Sequence, residues 1–305
     1  MLEIRRLRLL LELERRGTMA AVARAVGASP SAVSQQLALL EEEVGVLLLE
    51  PVGRGVKLTA RARALAEHAR VILEQLEQAE VELAAEDEPV GTLKVASFQS
   101  VLSTLLPDAL EHLAGIHPQL RVEVSHRDPE EALDRLLSHD FDLVLGEELP
   151  GFLQAKDAQI HEEDLVMDEI RLMLPRRGPL AKLPGELEAL AEAPWVMDPP
   201  KTVSARWATA MCRSAGFEPD VRFDSPGPGL HLRLVEVGQA VAFVPDLLGR
   251  LGKPRARVFT LPERPKRRLF TGARRAAAAR PGIVALRASL RWAADAPARG
   301  ESSPL

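Results

Sequence analysis

The sequence predicts an α/β protein that carries a small helical domain at its N-terminus. Three observations predict it. Up to about residue 58, short apolar-striped stretches alternate with turns marked by Gly17, Gly27 and Gly45. From about Thr59 to Glu86 runs one unbroken helical pattern. From residue 91 onward, strand-like and helix-like stretches alternate, the order of a parallel sheet with helical crossovers. A chain of 305 residues, 46% hydrophobic, is long enough for two or three cores.

In the first zone, Leu7, Leu10 and Leu11 mark the apolar stripe of helix one, which ends near Gly17. Thr18 is placed to cap a second helix, "MAAVARAV", stopped by Gly27. Ser29 caps a third, Pro30 suits its first position, and Val33, Leu37 and Leu40 face the core at helical spacing. Two apolar runs around "VGRG" then read as a hairpin, and three helices with a hairpin make a winged helix-turn-helix. In the long helix, Leu65, Ala69, Ile72, Leu76, Ala79 and Leu83 alternate in steps of four and three, a coiled-coil seam about three heptads long. "EDEPVG" (86–91) breaks it.

The third zone opens with the strand "TLKVASF", the helix "LLPDALEHLAGI", the strand "LRVEVSH", the helix "DPEEALDRLLSH" and the strand "FDLVLG". Asp128, Pro129 and Glu131 predict a capping box on the second of these helices. From about 163 a second unit follows: the strand "IRLMLP", the helix "PGELEALAEA", then "WVMD", "SARWATAMCRSAG", "VRFD", "LHLRLVEVG" and "AVAFVP". The strand "RRLFTGARR" and the helix "PGIVALRASLRWAA" close the chain, and the last dozen residues read as disordered.

Net charge is −5, which argues against a nonspecific nucleic-acid coat but leaves room for a small DNA-binding domain on a larger acidic one. In the first 58 residues, eight Lys or Arg stand against seven Glu; Glu41, Glu42 and Glu43 lie far from the start of helix three, so local basicity is possible without a basic total. No apolar run has the length of a membrane span, and the charged N-terminus is unlike a signal peptide, so no membrane and a cytoplasmic location are expected. A lone Cys212 excludes a two-cysteine switch within one chain and reads as a small buried residue. The seven histidines lack metal-ligand spacing, "HEED" (161–164) lacks the second His of a zincin, and no phosphate loop or nucleophile elbow occurs. The sequence therefore predicts neither an enzyme nor a cofactor.

"GTMAAVARAVGASPSAVSQQLALLEEEVGVLLLEPVGRGVKLT" (17–59) resembles the DNA-binding domain of LysR-type transcriptional regulators nearly end to end. The long helix, "GTLKVAS", "FDLVLG", "IRLMLP" and "VGQAVAFVPDL" extend the resemblance in the right order. It implies domains at 1–58 (winged helix-turn-helix), 59–88 (dimerisation helix) and 91–305 (effector domain). The last resembles a periplasmic binding protein, with subdomain I at about 91–162 and 267–295 and subdomain II at about 163–266. It also implies a bacterial homodimer or homotetramer that binds double-stranded DNA and a small-molecule effector. A binding or transport protein, or an α/β enzyme, with an N-terminal oligomerisation module is the alternative; the wing sequence opposes the first and the missing catalytic set the second.

For DNA contact the resemblance and the chemistry select Thr18, Ser29, Pro30, Ser31, Ser34, Gln35 and Arg54. Uncharged donors and acceptors discriminate base edges, whereas Lys and Arg mostly attract phosphate. An isolated Ser/Gln helix face would more often be merely solvated; its place inside a winged helix-turn-helix favours reading. Relatives usually carry Arg at the position of Gln35, so the half-site preference is expected to differ and the salt dependence to be weaker. Arg54, flanked by glycines, suits a minor groove or a phosphate. Arg5, Arg6, Arg8, Arg61 and Arg63 read equally well as backbone contacts or solvated faces. For the effector, strand ends and helix starts select Ser97, Gln99, Ser100, Arg127, Gly146, Thr202 and Ser204, with His126, Glu147, Lys201 and the segment 224–229 nearby. Two helix starts facing across a cleft would suit an anionic or zwitterionic ligand; capping and surface charge are the plainer readings.

Overall fold

Caps set the boundaries of the first helices. In the computed structural model, which describes residues 2–53, 55–84, 88–153 and 156–296, α1 (Ile4–Arg16), α2 (Met19–Val26) and α3 (Pro30–Val44) end on Gly17, Gly27 and Gly45. The tail beyond 296, expected to be disordered, lies outside the described residues. All three glycines are left-handed, at φ of 74°, 65° and 69°, where a side chain would be strained. Thr18 Oγ1 accepts from the Ala21 amide at 3.2 Å and Ser29 Oγ from the Ala32 amide at 3.1 Å. Leu7, Leu10, Val33, Leu37 and Leu40 are buried in one core, while Leu11 is only half-buried at its edge. The antiparallel hairpin β1 (Leu49–Val52) and β2 (Gly55–Leu58) follows, with Leu49 opposite Leu58. The Glu41 carboxylate anchors its approach by accepting from the Leu48 and Leu49 amides at 2.7 and 2.9 Å.

The long helix α4 (Ala60–Ala84) does not present the expected seam along its whole length. Ala62, Ala66 and Ala69 are buried in the same core as α1, and Arg70 pairs with Glu14 of that helix. Ala69 thus belongs to an intramolecular face. Ile72, Ala79 and Leu83 are exposed and Leu76 is partly so. The small alanines let α4 lie close on α1, which pulls the N-terminal part of the stripe inward. The chain divides into two compact units, Met1–Ala85 and Glu86–Leu305.

The second unit is built on a seven-stranded mixed sheet in the order β10-β6-β11-β5-β3-β4, with β9 also on β6. Its first part has the expected alternation: β3 (Gly91–Ser97), α5 (Gln99–Ser103), α6 (Leu105–Ile116), β4 (Leu120–His126), α7 (Pro129–Leu137) and β5 (Leu143–Glu148). β3 is parallel to both β4 and β5. Asp128 caps α7 through the Glu130 amide at 3.0 Å, but the predicted capping box is not made. Glu131 instead reaches Arg135 at 3.3 Å and Arg127 at 3.7 Å.

A single sixteen-residue strand, β6 (Ile160–Pro175), runs through the expected 163 boundary. "HEED" lies within it, and Glu163 there pairs with Arg287 and Arg291. The expected helix over "PGELEALAEA" is only a 3-10 turn, Leu187–Leu190. Leu187 and Leu190 are its two buried anchors, a three-residue spacing that suits one such turn. The remaining strands and α-helices are β7 (Pro194–Met197), α8 (Val203–Ser214), β8 (Asp220–Asp224), α9 (Pro228–Glu236), β9 (Ala242–Pro245), β10 (Ala256–Thr260), β11 (Lys266–Arg274) and α10 (Pro281–Asp295). β7 and β8 form a separate parallel pair. β11 returns antiparallel between β5 and β6, which is why the sheet is mixed.

Gly146 of β5 faces Phe270 of β11 across the ladder. A Cβ there would lie inside the Phe270 ring, 2.8 Å from Cε1 and closer still to Cζ. Gly146→Ala is expected to cost about 1–3 kcal/mol by overpacking; urea unfolding of the purified variant measures it, and an unchanged midpoint would show that the ring moves freely.

Candidate functional site

Two sites emerge, one in each unit. In the first, Ser29 and Pro30 fix the start of α3, and residues 28–32 together with Ser34 and Gln35 are exposed. The Ser29 and Ser31 hydroxyls lie 2.9 Å apart. Thr18 and Ser29 use their oxygens on amide caps; Thr18 keeps its O–H as a donor, and one of the Ser29 and Ser31 hydroxyls donates to the other. Gln36 belongs elsewhere: its Oε1 accepts from Arg6 Nε at 3.2 Å, and Arg6 also pairs with Glu43 and Glu3. Arg6 is therefore a strut between α1 and α3, and Arg63 donates to the Leu58 carbonyl. Arg54 lies outside the described residues.

In the second unit, a cavity of about 130 Å³ opens beyond the ends of β5 and β7. Of the residues chosen from sequence, Gln99, Ser100, Thr202 and Ser204 line it, joined by His126 and Glu147 from the neighbouring strand ends. Pro226 and Pro228 supply the wall expected from 224–229. Ser97, Arg127, Gly146 and Lys201 do not line it. Ser97 is fully buried, and its Oγ has no hydrogen-bond partner among the described residues. Arg127 turns back to the His126 carbonyl at 2.6 Å and over the Phe141 ring, while Gly146 lies beneath Phe270.

Sequence reasoning missed the centre of this cavity. Arg267 of β11, opposite Asp168 of β6, is buried and donates to Asp168 Oδ2 at 2.7 and 2.9 Å, to Glu147 Oε2 at 2.8 Å and to Ser100 Oγ at 3.0 Å. Burial works against its charge, but the two carboxylates more than offset this and hold its pKa above the ordinary value. Ser204, at the start of α8, donates to Glu147 Oε1 at 2.9 Å. Asp198, just after β7, also lines the cavity; burial, reinforced by Glu147 and Asp128 and opposed by Arg267, pushes its carboxyl up to about 7. Burial likewise raises Asp128. It lowers His231, whose Nε2–H donates to the Ser225 carbonyl at 2.7 Å. The apolar side is formed by Ile170, Trp207 and Phe243, the last two edge to face at 5.3 Å. Among the described residues, no group of three or more His, Cys, Asp or Glu is placed to hold a metal ion. Cys212 is fully buried, and burial pushes its thiol up to about 12, which makes it inert near neutrality.

Both units match known families. Residues 4–63 match the bacterial regulatory helix-turn-helix protein, lysR family, and residues 86–295 match the LysR substrate binding domain. The chain belongs to the LysR family of transcriptional regulators. Like its relatives, this LysR regulator joins a helix-turn-helix DNA-binding domain to an effector-binding domain. It is 26% identical over 247 residues to the transcriptional dual regulator GltC of Bacillus subtilis, covering 80% of this chain and 81% of that one. Against the regulator ClcR of Pseudomonas putida it is 26% identical over 262 residues, covering 83% and 86%. Full-length CbnR complexed with its target DNA matches in fold at a TM-score of 0.53 and 24% identity, covering 96% of this chain and all of that one. A full-length OxyR variant from Pseudomonas aeruginosa matches at 0.65 and 19%, covering 95% of each. Among the described residues no helix is long and apolar enough to cross a membrane.

Proposed function

We propose that this regulator acts in the cytoplasm as a homodimer or homotetramer, reads operator DNA with the N-terminal end of α3, and is controlled by a small molecule in the cavity of its second unit. The exposed, uncharged Ser31, Ser34 and Gln35, on a helix whose start is locked by Ser29 and Pro30, are the observation that carries the reading. A recognition helix sets its first residues against base edges in the major groove, where such side chains discriminate. Thr18 and Ser29, exposed at the starts of α2 and α3, suit phosphate contacts, and Arg54 suits the wing. The exposed row Ile72, Ala79 and Leu83 on α4 suits pairing with a second copy. The chain is read as a regulator rather than an enzyme because its relatives carry regulators' names and the cavity's Glu147 is paired with a guanidinium instead of a nucleophile.

A gel shift with the DNA upstream of the chain's own gene tests the whole. Sequence-specific, salt-sensitive retardation is expected, and its absence would sink the reading. Within it, Gln35→Arg is expected to move preference from adenine toward guanine at one position of each half-site, by about 1–3 kcal/mol, and to steepen the salt slope by about one. An unchanged preference would remove Gln35 from the reading set.

A further inference from the structure

Taking the cavity as the effector site, as proposed above, we infer that it binds a small ligand carrying a protonated amine on an apolar body, with the ammonium set against Asp198 and Asp128 and the body against Trp207 and Phe243. The two strongest donors that would receive a ligand carboxylate are already engaged by the protein's own anions, and the Thr202 hydroxyl donates to the Pro199 carbonyl. Arg267 is held by Glu147 and Asp168, and Ser204 at the start of α8 donates to Glu147. The helix start that the sequence offered to an anion thus already faces a carboxylate.

The carboxyls that remain open outnumber the free donors, of which Gln99 is the neutral one. Asp128, Glu147 and Asp198 line the cavity, and Arg267 is paired with Glu147 and with Asp168, which leaves Asp128 and Asp198 without a cation of their own. The other lining groups with a titratable ring are His126 and His231, and His231 is buried with its Nε2–H given to a carbonyl. Asp198 is half-buried in the wall between Met197 and the start of α8, and among the described residues its carboxyl makes no hydrogen bond or ion pair. Asp128 accepts from the Glu130 and Glu131 amides, both neutral donors, and has no cationic partner in the cavity wall. A carboxylate entering here would meet like charges in a poorly hydrated space; an ammonium would complete an unmatched set. The aromatic and aliphatic wall makes a hydrated inorganic cation a poor occupant and an amine with a hydrocarbon body a good one.

Three probes of one shape decide it: benzylamine, benzyl alcohol and benzoate, titrated calorimetrically into the full-length protein near neutral pH. The amine is expected to bind at least about tenfold more tightly than the alcohol, with benzoate weakest. Asp198→Asn is expected to bring the amine to about the alcohol's affinity. Asp128→Asn, which keeps a good helix cap, is expected to weaken the amine in the same direction. Tightest binding of benzoate, or an amine preference untouched by both variants, overturns the inference while leaving the cavity an effector site. If none of the three binds, the cation and the effector role of the cavity fall together, whereas the DNA-reading proposal stands or falls on its own gel shift.

Discussion

Arg267→Met is expected to destabilise the second unit by about 3–5 kcal/mol. The methionine fills much of the volume, so the loss is chiefly electrostatic. In the native structure the guanidinium is 6% exposed and its partners Glu147 and Asp168 are 5% and 4% exposed, so none of the three is relieved by water. Removing the cation leaves two buried carboxylates side by side, with Asp198 and Asp128 close enough to add to the repulsion. The pair itself need not be net stabilising relative to an apolar replacement; what costs energy is breaking one side of it. That distinction gives the test a second arm. Adding Glu147→Gln and Asp168→Asn to Arg267→Met should recover most of the loss, because the uncompensated charges are gone. The amide oxygen introduced by Asp168→Asn can still accept from the Leu247 amide, as Asp168 Oδ1 does at 2.9 Å. Urea unfolding monitored on the second unit's tryptophans measures both. A single variant within about 1 kcal/mol of wild type would show that the cluster is more hydrated than its burial implies.

The two halves of this molecule were legible in the sequence to different depths, for a physical reason. In the first unit each boundary is a local event: Thr18 and Ser29 cap within three residues, and Gly17, Gly27 and Gly45 each end a helix by adopting a left-handed conformation. Such chemistry is written in adjacent letters. The strands of the second unit were equally visible from their apolar runs, and the cavity rim at Gln99, Ser100, Thr202 and Ser204 followed from strand ends and helix starts. Its centre did not. Arg267 meets Glu147 and Asp168 across 120 and 99 residues of chain, and only the antiparallel return of β11 between β5 and β6 brings them together. The one available signal was the pair of arginines opening the otherwise apolar "RRLFTGA", which promises a buried partner without naming it. Gly146 shows the converse case, a residue singled out by its place at a strand end that does not line the cavity. At a strand end it resembles a ligand contact, but the register places Phe270 across it, and register cannot be read from one strand alone. The 184–193 stretch misled for a third reason: its composition favours a helix, but its buried residues Leu187, Leu190 and Ala193 recur every third position, the period of a 3-10 turn.

Asp198→Asn is expected to stabilise the ligand-free protein above about pH 7 and to leave it nearly unchanged in acid. The carboxyl's ordinary value is 3.8, and in the fold it is about 7. Between those values the folded protein holds a proton that the unfolded chain has released, so stability falls as pH rises through the window and levels off above it. A shift of that size corresponds to at most about 4 kcal/mol, and because Asp198 retains some exposure through the cavity, about 2–4 kcal/mol is the expected range. The cause is local and nameable. Burial disfavours the anion first; Glu147 and Asp128 repel it; Arg267 attracts it but is already shared between Glu147 and Asp168. An amide has the shape of the carboxyl without the charge, so the variant should lose the downward slope. Unfolding free energies of both proteins, measured in urea across the range from about pH 4 to pH 8, give the comparison. Parallel curves would mean that Asp198 ionises freely in the fold. Diverging curves would mean that the fold keeps this carboxyl at a disadvantage; on the amine inference, ligand binding below about pH 7 should then release a proton from Asp198 and strengthen as the pH rises toward that value.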